Sequence, residues 1–100
     1  MSEGLGLSGT KSLLNITTPT LVSSINTASY AARRIGRVQV LVAGTVAGSV
    51  NDAATVASAA AANQVFIIPN VVGTYLIDFP CLAGIVVTPG TGQTLAASYD

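Results

Sequence analysis

The residues that could carry catalysis or metal binding in this chain are few and widely separated. The 100 residues include no histidine and a single cysteine, Cys81, so neither a Ser-His-Asp nor a Cys-His arrangement can form. Two of the four acids, Glu3 and Asp100, are near the termini, while Asp52 and Asp78 come from distant segments. A metal site built from nitrogen and sulfur ligands also lacks its donors. We therefore expect no enzymatic activity, no metal and no cofactor, and we interpret the cysteine as a structural thiol.

Two glycine patterns resemble phosphate-binding loops, but neither has the elements that such a loop needs. Residues 4–9 match G-x-G-x-x-G, yet too few residues precede them for a strand to lead into the loop. Residues 89–94 resemble the end of a P-loop, yet Gln93 stands where the lysine is required. We predict that the first segment is part of a flexible arm and that the second is a hairpin turn.

The only concentration of charge consists of Arg33, Arg34 and Arg37, with no acid nearby in sequence. In one interpretation, these residues guard a solvated strand edge against pairing with another chain. In the other, they contact acidic groups, and Asp52, Asp78 or a carboxylate of a neighbouring subunit are alternative partners. A nucleic-acid site would need more basic residues and more stacking aromatics, so we expect no nucleic-acid partner.

The composition indicates a protein that packs against other chains. Charged residues make up 8% of the chain and the formal net charge is zero, whereas about 25% is usual for a soluble domain. The alternative is a small polar β-domain that depends on serine and threonine hydroxyls for solubility. The longest apolar region, residues 38–50, is interrupted and too short to span a bilayer, so we expect no membrane partner.

Short apolar runs separated by glycine and proline turns predict an all-β fold, either a small antiparallel β-sandwich or a barrel. We expect a single β domain over residues 11–100, preceded by an extended, flexible N-terminal arm over residues 1–10. The predicted strands are 11–17, 20–26, 35–43, 48–52, 64–68, 73–79, 84–88 and 93–99.

Two of these segments carry more detailed expectations. In 35–43 the alternation places Val38, Val40 and Val42 on one face and Arg37, Gln39 and Leu41 on the other, which is half polar and either solvated or at an interface. We expect 48–52 to return as the second strand of a hairpin with it. In 73–79 the alternation places Tyr75, Ile77 and Phe79 on one face, and Pro80 should end the strand.

Residues 53–62, AATVASAAAA, have the highest helix propensity in the chain. We expect a short alanine-rich helix or helical turn here, with Asn51 or Asp52 as N-cap and Asn63 as terminator. The β-branched pair Thr55-Val56 leaves open that the preceding strand continues instead. Residues 27–34 are ambiguous between helix and strand.

Arg37-Val38 leads into three segments: VLVAGTVAGSVNDAAT (41–55), AAAANQVFIIPNVVGTYLIDFP (59–80) and GIVVTPGTGQTLAASY (84–99). Over residues 37–99 the chain resembles a group of short proteins encoded in tailed-bacteriophage and prophage genomes. The matching positions are mostly turns and core residues, so the resemblance implies a fold and a genomic setting more than an activity.

The resemblance implies a virion structural protein, of the capsid decoration or head-fibre type. A decoration or cement protein would be assembled in the host cytoplasm and bind the major capsid protein on the capsid surface as a symmetric homo-oligomer, with a trimer favoured. The residues expected to contact partners are the leucines of the arm and first strand, Leu5, Leu7, Leu13 and Leu14, and the arginines Arg33, Arg34 and Arg37.

Two alternatives belong to other functional classes. A receptor- or carbohydrate-binding module of a fibre or spike would keep aromatic and hydrogen-bonding side chains exposed, and its candidates are Tyr30, Tyr75, Tyr99, Asn70 and Asp78. Tyr75 is expected in the core, because it alternates with apolar residues. A tail or connector component would have the same fold as a decoration protein, and the sequence does not separate the two.

Overall fold

The computed structural model describes residues 11–24 and 33–100. Eight strands form there: β1 (Lys11–Ile16), β2 (Thr20–Ser24), β3 (Arg33–Val42), β4 (Gly48–Asp52), β5 (Gln64–Ile68), β6 (Gly73–Cys81), β7 (Gly84–Thr88) and β8 (Thr94–Tyr99). The all-β prediction is confirmed. The predicted arm over residues 1–10 and most of the ambiguous segment 27–34 lie outside the described residues.

The strands form two four-stranded antiparallel sheets that pack as a sandwich. The order in the first sheet is β1-β8-β3-β6, and in the second sheet it is β2-β7-β4-β5. Every connection except β4–β5 crosses from one sheet to the other, which is the strand order of an eight-stranded jelly roll. The structure therefore decides between the sandwich and the barrel.

The core lies between the two sheets and is built from the inward-facing residues of both sheets. Its fully buried side chains include Ile35, Val38, Val40, Val50, Ile68, Ile85, Val87 and Leu95. The prediction for β3 holds for Val38 and Val40 but is wrong for Val42, which is 52% exposed. The pairing of β3 with β8 shifts register between Val40 and Val42, so Val42, the last residue of the strand, does not continue the inward-facing alternation.

The two predicted hairpins are wrong, because the loops connect different sheets. β3 is in the first sheet, whereas β4 pairs with β5 and β7 in the second, and the turn 89–93 likewise joins β7 to β8 across the sandwich. These loops pack on each other through their backbones, since the Thr45 amide donates to the Thr91 carbonyl at 2.9 Å. A Cβ on Gly44, which has φ +69°, would be 2.5 Å from that same carbonyl oxygen, so glycine is required there.

Residues 53–63 form no α-helix, although their helix propensity is high. Two 3₁₀ turns, Val56–Ser58 and Ala61–Asn63, take its place. Asn51 on β4 holds the segment against the second sheet, because its side-chain amide donates to the Ala60 carbonyl at 2.8 Å and to Asn63 Oδ1 at 2.9 Å. Thr55, rather than the expected Asn51 or Asp52, caps the first turn. Tertiary hydrogen bonds thus outweigh the propensity of alanine.

β6 continues through Pro80 to Cys81, where the sequence predicted an end. An edge strand tolerates proline, because the missing N–H can face solvent instead of a neighbouring strand. Asp78 has φ +49°, and the pairing of β3 with β6 shifts register at this level. The alternation therefore breaks after Ile77, and Phe79 is 45% exposed rather than inward.

Candidate partner-binding surface

The arginine cluster lies at the start of an interior strand. β3 runs between β8 and β6, so these arginines do not protect a sheet edge, and that interpretation is wrong. The Arg34 guanidinium forms an ion pair with Asp78 Oδ1 on β6 at 3.3 Å and also donates to the Asp78 carbonyl at 3.2 Å. Both side chains are about half exposed, so the pair contributes little to stability. The side chain of Arg33 lies outside the described part of the chain.

Arg37 faces outward from the first sheet and is solvent-exposed. Its backbone amide donates to Ser98 Oγ on β8 at 3.1 Å, which links the two strands above the core. Next to it, the Gln39 side-chain amide donates to Thr74 Oγ1 on β6 at 3.3 Å. No described carboxylate contacts the Arg37 guanidinium, so its donors are free to meet an acceptor on another molecule.

A trough of about 220 Å³ runs over this outer face. It is lined by Ser12, Leu14, Arg37, Gln39, Ala96, Ala97 and Ser98. Ala96 on β8 leaves a low floor between the longer side chains of β1 and β3, since the side chain of Ala97 points into the core. The trough therefore presents an apolar wall, formed by Leu14 with 69% of its surface exposed, opposite a cationic one.

The four leucines expected in the contact surface separate into three groups. Leu14 lies on the outer face and lines the trough. Leu13, its neighbour in sequence, packs against the core and pairs with Ala97, because successive strand residues point to opposite faces. Its side chain therefore faces the core and not the trough. Leu5 and Leu7 lie outside the described residues.

Asp52 has a different role from the ones that the sequence suggested. Its carboxylate accepts hydrogen bonds from the backbone amides of Leu82 at 3.0 Å, Ala83 at 2.7 Å and Gly84 at 3.3 Å. These three consecutive amides form the turn between β6 and β7. Asp52 thus stabilises that turn rather than capping a helix or pairing with an arginine.

Cys81 is fully buried beside this turn. Burial, and secondarily the negative charge of Asp52, raise the pKa of its thiol to about 11. The thiol therefore stays protonated at neutral pH and packs as a small apolar group, which agrees with a structural role.

A second hollow, of about 290 Å³, lies where residues 53–63 cross the second sheet. It is lined by Ser49, Asn51, Ala59, Ala60, Ala61, Gln64 and Thr88. The Asn51 side chain is 4% exposed and its hydrogen bonds are made within the chain, including one from Ser49 Oγ at 3.0 Å. The lining thus combines alanine methyl groups with the side chains of Ser49, Gln64 and Thr88.

The aromatic residues named for a binding module are mostly packed. Tyr75 is half-buried, its ring centroid is 6.5 Å from that of Phe66, and its hydroxyl donates to the Val71 carbonyl at 2.7 Å. Tyr99 also packs against the core, whereas Asn70 and Asp78 are exposed. Tyr30 is not among the described residues.

The sequence had already placed Arg37 and Gln39 on one half-polar strand face, and the structure confirms that they share it. The sequence-based prediction did not include Ala96 and Ser98, because nothing in the sequence indicated that β8 would lie between β1 and β3.

No protein-family model, no curated protein and no solved structure matches the chain. Among residues 11–24 and 33–100, no helix is long and apolar enough to cross a membrane. The surface chemistry of the sandwich is therefore the guide to its function.

Proposed function

We propose that this chain is a non-enzymatic structural protein of a tailed-phage virion. In this role it is a capsid decoration or cement protein that binds the major capsid protein on the capsid surface as a symmetric oligomer. The observation that carries the proposal is the trough on the first sheet, where exposed Leu14 lies across a shallow floor from Arg37, whose guanidinium has no described acidic partner.

The chemistry of the trough suits adhesion to another protein. An exposed leucine gains free energy when a partner covers it, at about 25 cal/mol per Å² of apolar surface removed from water. An arginine at the same contact can bind a carboxylate through two parallel hydrogen bonds, which sets orientation as well as adding affinity. The expected partner surface is therefore an apolar segment with an aspartate or glutamate beside it.

A symmetric oligomer would strengthen such a contact without enlarging it. The seven residues that line the trough are few against the roughly 20–30 residues that each partner contributes to a stable interface. Several copies arranged about a capsid symmetry axis bind together, so weak single contacts add as avidity. In this proposal Leu5, Leu7 and Arg33 extend the contact beyond the trough, and the oligomer is a trimer.

The jelly-roll fold agrees with the proposal but also suits a lectin-like module, because the architecture occurs in both viral capsid proteins and lectins. The two described tyrosines favour decoration. A sugar-binding surface needs aromatic rings open to solvent, whereas Tyr75 and Tyr99 pack against the core. A tail or connector component would use the same trough, and it is distinguished by the particle that it binds.

The test is co-sedimentation of the purified chain with capsids that lack it, and separately with tails, from the phage that encodes it. We expect saturable binding to capsids. The variants Arg37→Glu and Leu14→Asp should each weaken that binding at least tenfold, because each puts an acid where the partner's carboxylate or apolar segment lies. Ile67→Asp is the matched control, since Ile67 is 61% exposed on β5 in the second sheet and should bind as the wild type.

Two results would contradict the proposal. Binding to tails without binding to capsids would identify a tail component instead. Unchanged capsid binding by both trough variants would show that the trough is not the contact surface.

A further inference from the structure

We infer that copies of this chain associate through an aliphatic patch at one end of the sandwich, with the symmetry axis of the oligomer passing beside it. The aliphatic patch consists of Leu41, Val42, Val71 and Val72, whose side chains are 53%, 52%, 60% and 62% exposed. The inference rests on the proposed assembly role and names the surface through which the copies meet.

The pairing of β3 with β6 brings the four residues of the patch to the same end of the sandwich. Val40 is opposite Gly73 at the last paired position, so Leu41 and Val42 at the end of β3 lie near Val71 and Val72 in the loop that leads into β6. Four aliphatic side chains that are each more than half exposed form a patch on the order of 300–400 Å². A patch of this size on a small domain is often functional.

The occupant follows from the distribution of charge. The aliphatic patch belongs to the end of the sandwich formed by the loops 17–19, 43–47, 69–72 and 89–93, which together contain no charged residue. We call this the uncharged end. Near a rotation axis each residue faces the same residue of another copy. A charged side chain there would be repelled by its symmetry mate, whereas aliphatic and hydroxyl side chains can contact their own copies. An uncharged surface rich in valine and threonine therefore fits a second copy of this chain.

The loops that carry the patch are held in place before any partner binds. The Tyr75 hydroxyl fixes the Val71 carbonyl, and buried Gln93 donates from its side-chain amide to the Pro69 carbonyl at 3.0 Å. Gln93 Oε1 also accepts from the Gly90 amide at 2.8 Å. A contact surface that is already ordered loses little conformational entropy on association.

The experiment measures the mass of the full chain by light scattering across a concentration series. We expect about 30 kDa, three copies of the 10.0 kDa chain, although a pair about a two-fold axis would support the same contact. Val72→Glu and Val72→Lys, each alone, should shift the protein to monomer at concentrations where the wild type is assembled. Mixing the two variants should restore part of the association, because two of the three contacts about a three-fold axis then join opposite charges. Leu82→Glu, at the opposite end, should keep the wild-type mass.

Three results would overturn the inference: a monomeric wild type at every concentration, an oligomer unaffected by both variants, or variants that stay monomeric when mixed. The last result would mean that the patch binds a surface unlike itself. Capsid co-sedimentation is measured separately, so a monomer that still binds capsids would remove the self-contact and leave the proposed capsid contact through the trough standing.

Discussion

The two ends of the sandwich close by different chemistry. At the uncharged end, loops that cross between the sheets pack through backbone contacts, and the glycines Gly44 and Gly90 leave room for neighbouring carbonyl groups. We call the opposite end the charged end. There the Asp52 carboxylate accepts hydrogen bonds from three backbone amides of the β6–β7 turn, and Arg34 forms an ion pair with Asp78. Lys11 and Asp100 also lie there, at the start of β1 and just after β8.

The comparison shows where a chain with few charges uses them. Three consecutive amides in one turn need a strong acceptor, and a carboxylate supplies it with two oxygens. Where loops meet through alternating backbone donors and acceptors, no charge is needed, but close approach requires residues without a Cβ. The charged end therefore has ionised groups at its surface, whereas the uncharged end has a neutral surface on which aliphatic side chains can contact a partner.

The largest effect is expected at Gly90, at the uncharged end. A Cβ there would overlap the carbonyl of Val46, so Gly90→Ala must push the two loops apart. We expect a loss of about 3 kcal/mol or more in the free energy of unfolding, measured by urea denaturation. Gly73→Ala is the matched control, because a Cβ at Gly73 comes no closer than 3.4 Å to another side chain. Equal stability of the two variants would refute the tight packing of the loops.

An intermediate effect is expected at Asp52, at the charged end. Asp52→Asn keeps the shape but removes the charge and one acceptor oxygen, so at least one amide of the β6–β7 turn loses its partner. We expect a loss of about 2 kcal/mol in the free energy of unfolding. Asp78→Asn should cost less than about 1 kcal/mol, since its ion pair with Arg34 is half exposed. If Asp78→Asn proved the more destabilising, the role assigned to Asp52 would be wrong.

The smallest effect is the contribution of Cys81, at the charged end, to the pH dependence of stability. Folding raises the pKa of Cys81 from about 9 to about 11, so above pH 9 the unfolded chain releases a proton that the folded chain keeps. The stabilisation is fully present below pH 9 and is lost as the pH rises toward 11, by about 1 kcal/mol at pH 10. Cys81→Ala should remove this part of the decline in thermal unfolding, and identical pH profiles for wild type and variant would contradict the assignment.

The sequence predicted strands better than it predicted their partners. Local alternation and proline-glycine turns placed all eight strands close to their observed bounds. The expected hairpins β3–β4 and β7–β8 were wrong, because a short loop is equally compatible with pairing in one sheet and with crossing to the other. The choice depends on burial between the sheets, which involves residues distant in sequence.

The candidate surface was predicted only in part, because some of its residues are brought together by the pairing of strands distant in sequence. The position of Arg37 and Gln39 on one half-polar face follows from the two-residue period of a strand. That Leu14 lies across from them follows only from β8 lying between β1 and β3. The helix expected over residues 53–62 failed because Asn51, buried on β4, binds that segment in another conformation.

Composition and local pattern by themselves determined that this protein is a small, sparsely charged all-β domain with no histidine for a Ser-His-Asp or Cys-His arrangement. These properties depend on residue type and on neighbours in sequence. The tertiary structure alone decided the jelly-roll order, the trough beside Arg37 and the separation of charged and uncharged ends. Each of these arises where distant strands meet, and their pairing is selected by burying one common core rather than by any local preference.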